Sequence, residues 1–173
     1  MQKVIFLDRD GVVNKEIGYL HKIKDFKFID GVIDALIRIQ NKGFKIIIIT
    51  NQSGIGRGLY TIEDFHELNN WMINYLKSKK INILEVFFCP HLPEDNCKCR
   101  KPKPGLYKDA ITKFNINVNS SYSIGDKETD IIAAKSAGIK TTILVRSGHK
   151  IDENNSKADH IFNSLSDVSK IFI

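Results

Sequence analysis

The chain has 173 residues, which is enough for one domain with a substantial core. No apolar run approaches the roughly 18 residues that a membrane span needs, and a composition of 42% hydrophobic and 27% charged residues is ordinary for a globular protein. The net charge of +6 suits an anionic partner. Because the lysines are scattered and not interleaved with aromatic residues, the pattern disfavours a nucleic-acid surface and leaves a small anion as the expected partner.

The first three residues lead directly into a predicted strand, which leaves no room for a signal peptide. We therefore expect a cytoplasmic protein. We expect it to act as a monomer, with neither a membrane nor a nucleic acid as a partner.

Strands and helices alternate along the chain. Apolar runs, several of them continuous as in buried parallel sheets, predict six strands: Lys3–Asp8, Phe44–Thr50, Leu84–Cys89, Ser121–Asp126, Thr141–Val145 and His160–Phe162. Helical spacing predicts helices over Val32–Gln40, from Thr61 onward, over Leu106–Phe114 and over Thr129–Ala137. This order predicts an α/β fold, a doubly wound three-layer sandwich with a mainly parallel sheet, as one catalytic domain over residues 1–173.

Two carboxylates, Asp8 and Asp10, follow the first strand. Side chains two apart on a strand point the same way, so both acids are expected at its carboxyl end, where open α/β sheets bind ligands. Two convergent carboxylates suit a nucleophile and a proton shuttle. Taken alone, the pair is equally compatible with a solvated acidic turn.

The other strand ends decide between these interpretations. The second strand leads to Thr50 and Asn51, the third to Lys101, and the fourth to Asp126. In a parallel sheet these residues share one edge, and together they fit phosphoryl transfer. We expect Mg²⁺ on Asp8 and Asp126, with Lys101, Thr50 and Asn51 stabilising the phosphoryl oxygens.

In the mechanism that this set predicts, Asp8 attacks phosphorus and forms an aspartyl-phosphate. Asp10 protonates the leaving alkoxide and then deprotonates the water that cleaves the intermediate. The predicted catalytic residues are therefore Asp8, Asp10, Thr50 and Lys101.

Four segments, DRDGVVN (8–14), TNQSGIGRG (50–58), CRKPKPG (99–105) and IGDKETD (124–130), resemble the motifs of haloacid-dehalogenase-type phosphatases. Together with GYLHKIKDFKFIDG (18–31) and a cysteine loop, they are similar to the heptose-bisphosphate phosphatases within that family. The resemblance implies removal of the C7 phosphate of a heptose 1,7-bisphosphate, in nucleotide-heptose and lipopolysaccharide biosynthesis, by a fold without a large cap domain.

The resemblance also implies Mg²⁺ held by Asp8, the Asp10 backbone carbonyl and Asp126. Glu16 stands where an Asp is expected in relatives. The implied substrate contacts are Glu16, Gly18, Tyr19, Ser53, Arg100, Lys101 and Lys127. Arg57 adds a further cation to these surroundings, which suits the second phosphate of a small anionic sugar bisphosphate.

The cysteines all lie in one short loop over residues 89–99, which carries Cys89, His91, Cys97 and Cys99. Three thiolates and one imidazole make a closed tetrahedral Zn²⁺ site of the structural kind. A Cys97–Cys99 disulfide would be strained, and a Cys89–Cys97 disulfide would leave one thiol over. Arg100 and Lys101 follow the last ligand, so we expect zinc to fix the loop that directs both cations.

Two alternatives remain. A histidinol-phosphate phosphatase shares the fold and the zinc loop, but its ammonium-bearing substrate favours an acidic wall, whereas the loop after Asn51 carries no acid. A zinc-loop phosphosugar-binding module without catalysis need not keep Asp8, Asp10, Lys101 and Asp126 together.

Overall fold

The computed structural model describes residues 1–172, in which strands and helices alternate. The strands are β1 (Val4–Leu7), β2 (Lys45–Asn51), β3 (Ile83–Cys89), β4 (Tyr122–Gly125), β5 (Thr141–Val145) and β6 (His160–Phe162). The helices are α1 (Val32–Asn41), α2 (Ser53–Gly56), α3 (Ile62–Ser78), α4 (Gly105–Phe114), α5 (Glu128–Ser136) and α6 (Leu165–Val168).

The strands form one six-stranded sheet in the order β3-β2-β1-β4-β5-β6. Every pairing between these strands is parallel. The chain runs outward from β1 to β3, returns to β4 and runs outward again on the other side. The direction of winding therefore reverses between β1 and β4, the position where open α/β sheets bind ligands.

Alternating side chains of the central strands fill two separate cores. Ile5, Leu7 and Ile48 pack on one face of the sheet, against apolar residues of α1 and α3. Phe6 and Ile49 pack on the other face, against α4 and α5. The predicted three-layer sandwich with a parallel sheet is thus confirmed, since buried strands must be apolar on both faces.

Predicted and observed element ends agree to within one or two residues, which is the usual ambiguity of helix and strand termini. The predicted Thr61–Asp64 capping box is present at the start of α3. Two short helices, α2 and α6, were not predicted, and α2 contains two glycines. Among residues 1–172, no helix combines the length and the apolar character that crossing a membrane requires.

Candidate active site

The carboxyl ends of β1, β2 and β4, with the loop after β3, surround a cavity of about 460 Å³. Its lining includes all four predicted catalytic residues, Asp8, Asp10, Thr50 and Lys101. It also includes all ten predicted substrate contacts: Glu16, Gly18, Tyr19, Thr50, Asn51, Ser53, Arg57, Arg100, Lys101 and Lys127. Asp126 lies beneath the lining and is fully buried. The predicted residues are therefore brought together, and their roles remain predictions.

The inner end of the cavity is the part next to the strand ends, where Lys101 lies between the carboxylates of Asp8 and Asp130. Its ammonium Nζ lies 3.0 Å from Asp8 Oδ1, 2.6 Å from Asp130 Oδ1 and 2.7 Å from the Ile49 carbonyl oxygen. Burial opposes its charge, but Asp130 and Asp8 hold the pKa of Lys101 above its usual range. Lys101 is therefore a buried, fully paired cation.

The two carboxylate oxygens of Asp8 have different surroundings. Its Oδ1 accepts from Lys101 Nζ at 3.0 Å and from the Arg9 backbone N–H at 2.9 Å, and neither donor binds Oδ2. Burial raises the pKa of Asp8 well above its usual range; Lys101 opposes this shift, whereas Asp130 and Asp126 reinforce it. The inner end thus holds more negative than positive charge.

Asp126 provides the test of whether a divalent cation fits here. Its Oδ1 is buried without a hydrogen-bond partner among residues 1–172, and the carboxylates of Asp8, Asp126 and Asp130 place oxygens within 4.8 Å of one another. A Cβ atom at Gly11 or Gly148 would collide with the Asp126 carboxylate, so both positions require glycine for this close approach. Oxygen ligands and surplus negative charge are what Mg²⁺ requires.

His149 is a site residue that the sequence reasoning missed. Its Nδ1 lies 2.6 Å from Asp126 Oδ2, and its backbone N–H donates to the same oxygen at 2.9 Å. His149 thereby orients Asp126. It is 23 positions away in the sequence and outside any recognisable motif, so no local signal could have found it.

Asp10 and Thr50 share a partly buried hydrogen-bonding network. Asp10 accepts from the Arg9 guanidinium at 3.2 Å, from Asn14 Nδ2 at 2.9 Å and from Gln52 Nε2 at 2.9 Å. Gln52 Nε2 also donates to Thr50 Oγ1 at 2.8 Å. Gln52 and its partner Tyr60 line the cavity and were not predicted as site residues.

Asn51 binds the backbone of Lys101, a contact that the sequence did not predict. Its Nδ2 donates to the Lys101 carbonyl and its Oδ1 accepts from the Lys101 backbone N–H, both at 3.1 Å. Asn51 therefore holds the Lys101 backbone in place. Its predicted contact with a phosphoryl oxygen stays a prediction.

The outer wall of the cavity is formed by loops. Its side chains are Tyr19 and Arg57, whose guanidinium lies 6.0 Å from the Tyr19 ring, together with Arg100 and Lys127. Tyr19 is 48% exposed. Glu16 accepts from the Gly18 backbone N–H and thereby shapes the Glu16–Tyr19 loop. Three cations and one acid make this wall attractive to an anion.

The four predicted zinc ligands come together at the end of β3. Cys99 Sγ lies 3.2 Å from Cys89 Sγ, 3.4 Å from Cys97 Sγ and 3.2 Å from His91 Nδ1. Ligands at roughly 2.3 Å from a tetrahedral zinc ion stand about 3.5–3.8 Å apart, so these residues fit one ion with little movement.

The acidity of the thiols differs within this cluster. Burial opposes ionisation of Cys97, but the Arg100 backbone N–H and the neighbouring thiols lower its pKa to about 7. Burial raises the pKa of Cys89 and of Cys99. Arg100 also donates from Nη1 to the His91 carbonyl at 3.2 Å, so the cluster and the outer wall are physically joined.

The chain is similar to proteins of known name over nearly its whole length. A family model described as HAD-hydrolase-like matches residues 98–168. A Haemophilus ducreyi protein named D-glycero-beta-D-manno-heptose-1,7-bisphosphate 7-phosphatase is 45% identical, with 96% of each chain covered. A Photorhabdus laumondii protein named as the alpha-anomer enzyme is also 45% identical, with 98% of this chain and 96% of that protein covered.

A solved structure agrees with these relatives. The crystal structure of a D,D-heptose 1,7-bisphosphate phosphatase from B. bronchiseptica, complexed with magnesium and phosphate, superimposes with a TM-score of 0.86 at 28% identity. The match covers 98% of this chain and 97% of that one.

Proposed function

This chain belongs to the family of the D-glycero-D-manno-heptose-1,7-bisphosphate 7-phosphatases, and from that premise we propose that it removes the C7 phosphate of a heptose 1,7-bisphosphate. The products are inorganic phosphate and a heptose 1-phosphate. The retained anomeric phosphate is what a nucleotidyl transfer needs, which fits a place in nucleotide-heptose biosynthesis.

One observation carries this proposal: a single cavity joins a phosphoryl-transfer centre to a cationic wall. The inner end supplies Asp8, Asp10 and Lys101, and the outer wall supplies Arg57, Arg100 and Lys127. The inner end suits any phosphate monoester. The cations of the outer wall provide a counter-charge for the second phosphate of a bisphosphate substrate.

The chemistry follows from the contacts of the inner end. Asp8 Oδ2 attacks phosphorus while Lys101 holds Oδ1, and the bond from phosphorus to the sugar oxygen breaks. Asp10 gives its proton to the departing alkoxide. It then takes a proton from the water that attacks the aspartyl-phosphate, which releases phosphate and restores Asp8. Thr50 donates a hydrogen bond to the transferred phosphoryl group, and the nearby positive charge of Lys101 stabilises it.

We propose Mg²⁺ as the cofactor, held by Asp8, Asp126 and the Asp10 backbone carbonyl. When bound, the ion would neutralise charge on the phosphoryl oxygens and allow a carboxylate to approach them. The fit rests on the unpartnered Asp126 Oδ1 and the three neighbouring carboxylates. Asp130, whose oxygens accept from Lys101 Nζ and the Lys127 backbone N–H, is assigned to holding Lys101.

We propose a structural Zn²⁺ on Cys89, His91, Cys97 and Cys99. The four ligand atoms lie within 4.8 Å of one another. Four protein ligands leave no position for water, which is the arrangement of a structural site. Its effect on function passes through Arg100, which the loop binds by two hydrogen bonds.

The test is phosphate release from both anomers of heptose 1,7-bisphosphate beside histidinol phosphate, with and without Mg²⁺. We expect one or both bisphosphates to be hydrolysed efficiently only with Mg²⁺. Histidinol phosphate should be poor because its ammonium group would face the cationic wall. Equal efficiency on histidinol phosphate would contradict the substrate assignment, and undiminished turnover after exhaustive chelation would contradict the metal assignment.

A further inference from the structure

One buried amide connects two of the predicted catalytic side chains. Gln52 is 3% exposed. Its Nε2 lies 2.9 Å from Asp10 Oδ2 and 2.8 Å from Thr50 Oγ1. Its Oε1 lies 2.6 Å from the Tyr60 hydroxyl and 3.4 Å from Arg9 Nη2. Both hydrogens and both lone pairs of this amide therefore have partners within the site.

Arg9 fixes the orientation of this amide. A guanidinium can only donate hydrogen bonds, so Gln52 must present Oε1 to Arg9. This places Nε2 against Asp10. The Tyr60 hydroxyl then donates to the same oxygen. Burial raises the pKa of Tyr60 to about 12, which keeps that hydroxyl protonated.

This orientation sets the direction of the Thr50 hydrogen bond. Nε2 has two hydrogens, one for Asp10 and one for Thr50, so Thr50 Oγ1 acts as the acceptor. The hydroxyl hydrogen of Thr50 is left for another acceptor. Because Thr50 lines the cavity, a phosphoryl oxygen in the cavity is the acceptor that it can reach.

The same amide limits the rotation of Asp10. Asp10 is bound from its own loop by Arg9 and Asn14, whereas Gln52 binds it from the end of β2. The contact thus ties the first motif to the second, across a separation of 42 residues. Without it, Asp10 would be held from only one side.

We infer that Gln52 is a positioning residue for phosphoryl transfer: its amide orients the Asp10 carboxylate and turns the Thr50 hydroxyl toward the phosphoryl group, and Arg9 and Tyr60 hold the amide. The inference rests on the proposed function, in which Asp10 protonates the leaving group and Thr50 binds the transferred phosphoryl. Gln52 itself exchanges no proton with the substrate.

The two parts of this role respond differently to the leaving group. A sugar alkoxide needs a proton from Asp10 when it leaves, whereas p-nitrophenolate leaves without one. Loss of the Asp10 contact should therefore slow the sugar phosphate selectively. Drawing the Thr50 hydrogen away from the phosphoryl group should slow both substrates, because both transfer the same phosphoryl group.

Two substitutions separate these effects. Gln52→Met keeps the volume and leaves the Thr50 hydroxyl free to donate, so kcat/KM should fall about tenfold to a hundredfold for heptose 1,7-bisphosphate and little for p-nitrophenyl phosphate. Gln52→Glu replaces the donor by an acceptor that also draws the Thr50 hydrogen away from the phosphoryl group. That variant should additionally lose about tenfold or more on p-nitrophenyl phosphate.

Gln40→Glu is the matched control. Gln40 lies on α1 and its amide likewise bridges two groups, the Lys80 carbonyl and the Asn82 backbone N–H, at 2.8 Å each. It should leave kcat/KM unchanged for both substrates. Thermal unfolding of all variants separates a folding defect from a positioning defect.

The outcomes are distinct. Equal losses on the two substrates in Gln52→Met, or no loss at all, would overturn the inference. If Gln52→Glu does not fold, Gln52→Met and Tyr60→Phe still decide the question, the latter with an expected sugar-selective loss of about threefold. If the wild-type protein hydrolyses no heptose bisphosphate, the proposed function fails. The Gln52 variants are then compared on p-nitrophenyl phosphate and on an alkyl phosphate that the protein does hydrolyse, so the inference is decided separately.

Discussion

The inner end and the outer wall of the cavity are built in different ways. The inner end consists of Asp8, Thr50, Lys101, Asp126 and Asp130, all at most 8% exposed and held by strand ends or paired charges. The outer wall consists of Tyr19, Arg57, Arg100 and Lys127, which stand on loops and are partly or largely exposed. We therefore propose that the sheet preorganises the chemistry, whereas the loops select the substrate.

The first prediction addresses the inner end. Asp8→Asn removes the attacking oxygen, so turnover should fall about 10⁴-fold or more on every substrate. Stability should hold or rise, because Asp8 is a buried acid beside two others and burial already raises its pKa. Steady-state kinetics and thermal unfolding measure both effects. Near-normal turnover in this variant would exclude an aspartyl-phosphate on Asp8.

Lys101→Met should have the opposite effect on stability. It leaves Asp8 and Asp130 without their shared cation, so the free energy of unfolding should fall by about 3 kcal/mol and activity should be lost on all substrates. Denaturant titration measures the change. Lys113→Met is the control: Lys113 pairs with Glu85 but is 55% exposed, so its loss should cost less than about 1 kcal/mol. Equal losses of unfolding free energy in Lys101→Met and Lys113→Met would show that the buried ion pairs stabilise the fold no more than the exposed one does.

Cys97→Ser addresses the support of the outer wall. The purified wild-type protein should contain about one zinc per chain, and the variant should lose it. Because the loop binds Arg100, kcat/KM should fall about tenfold for heptose 1,7-bisphosphate and much less for p-nitrophenyl phosphate. Metal analysis with kinetics on both substrates checks this. Wild-type protein with no zinc and three free thiols would refute the assignment.

The smallest effect concerns Asp159, which lies in neither region. Burial opposes its charge, but Lys135 and Thr142 lower its pKa to about 2. A carboxyl whose folded pKa is depressed stabilises the fold above its unfolded pKa, so this contribution should disappear as the pH falls from about 4 to about 2. Asp159→Asn should cost less than about 1 kcal/mol at neutral pH because the side chain is 35% exposed, and should leave substrate selectivity unchanged. Denaturant titration across this pH range measures the stability, and kinetics on both substrates measure the selectivity. A changed selectivity in Asp159→Asn would show that a loss of stability far from the cavity also alters the outer wall.

The fold could be predicted because its signals are local. Continuous apolar runs such as Ile46–Ile49 are strands buried on both faces, and Thr61 with Asp64 marks the start of α3. The catalytic set at the strand ends was also accessible, since parallel strands bring their carboxyl ends to one edge. The short helix α2 was not predicted because two of its four residues are glycine, so the segment shows no helical pattern of apolar side chains.

The missed residues depend on contacts between distant parts of the chain. His149 is held in the site by a hydrogen bond with Asp126, and Gln52 is held by hydrogen bonds with Asp10 and Tyr60. The amide of Asn51 holds the Lys101 backbone, which the sequence did not indicate. Rotamers and hydrogen-bond partners are set by packing, so a sequence pattern can place such side chains near a site without assigning their partners.

The division of labour between the two regions is tested most directly by a pair of substrates that differ only in the C1 phosphate. We predict that kcat/KM for heptose 1,7-bisphosphate exceeds that for heptose 7-phosphate by about tenfold to a hundredfold, and that Arg100→Ala removes most of this ratio while changing the heptose 7-phosphate value little. Equal kcat/KM values for the two substrates in the wild-type protein, or an equal loss on both in Arg100→Ala, would contradict the assignment of selectivity to the outer wall.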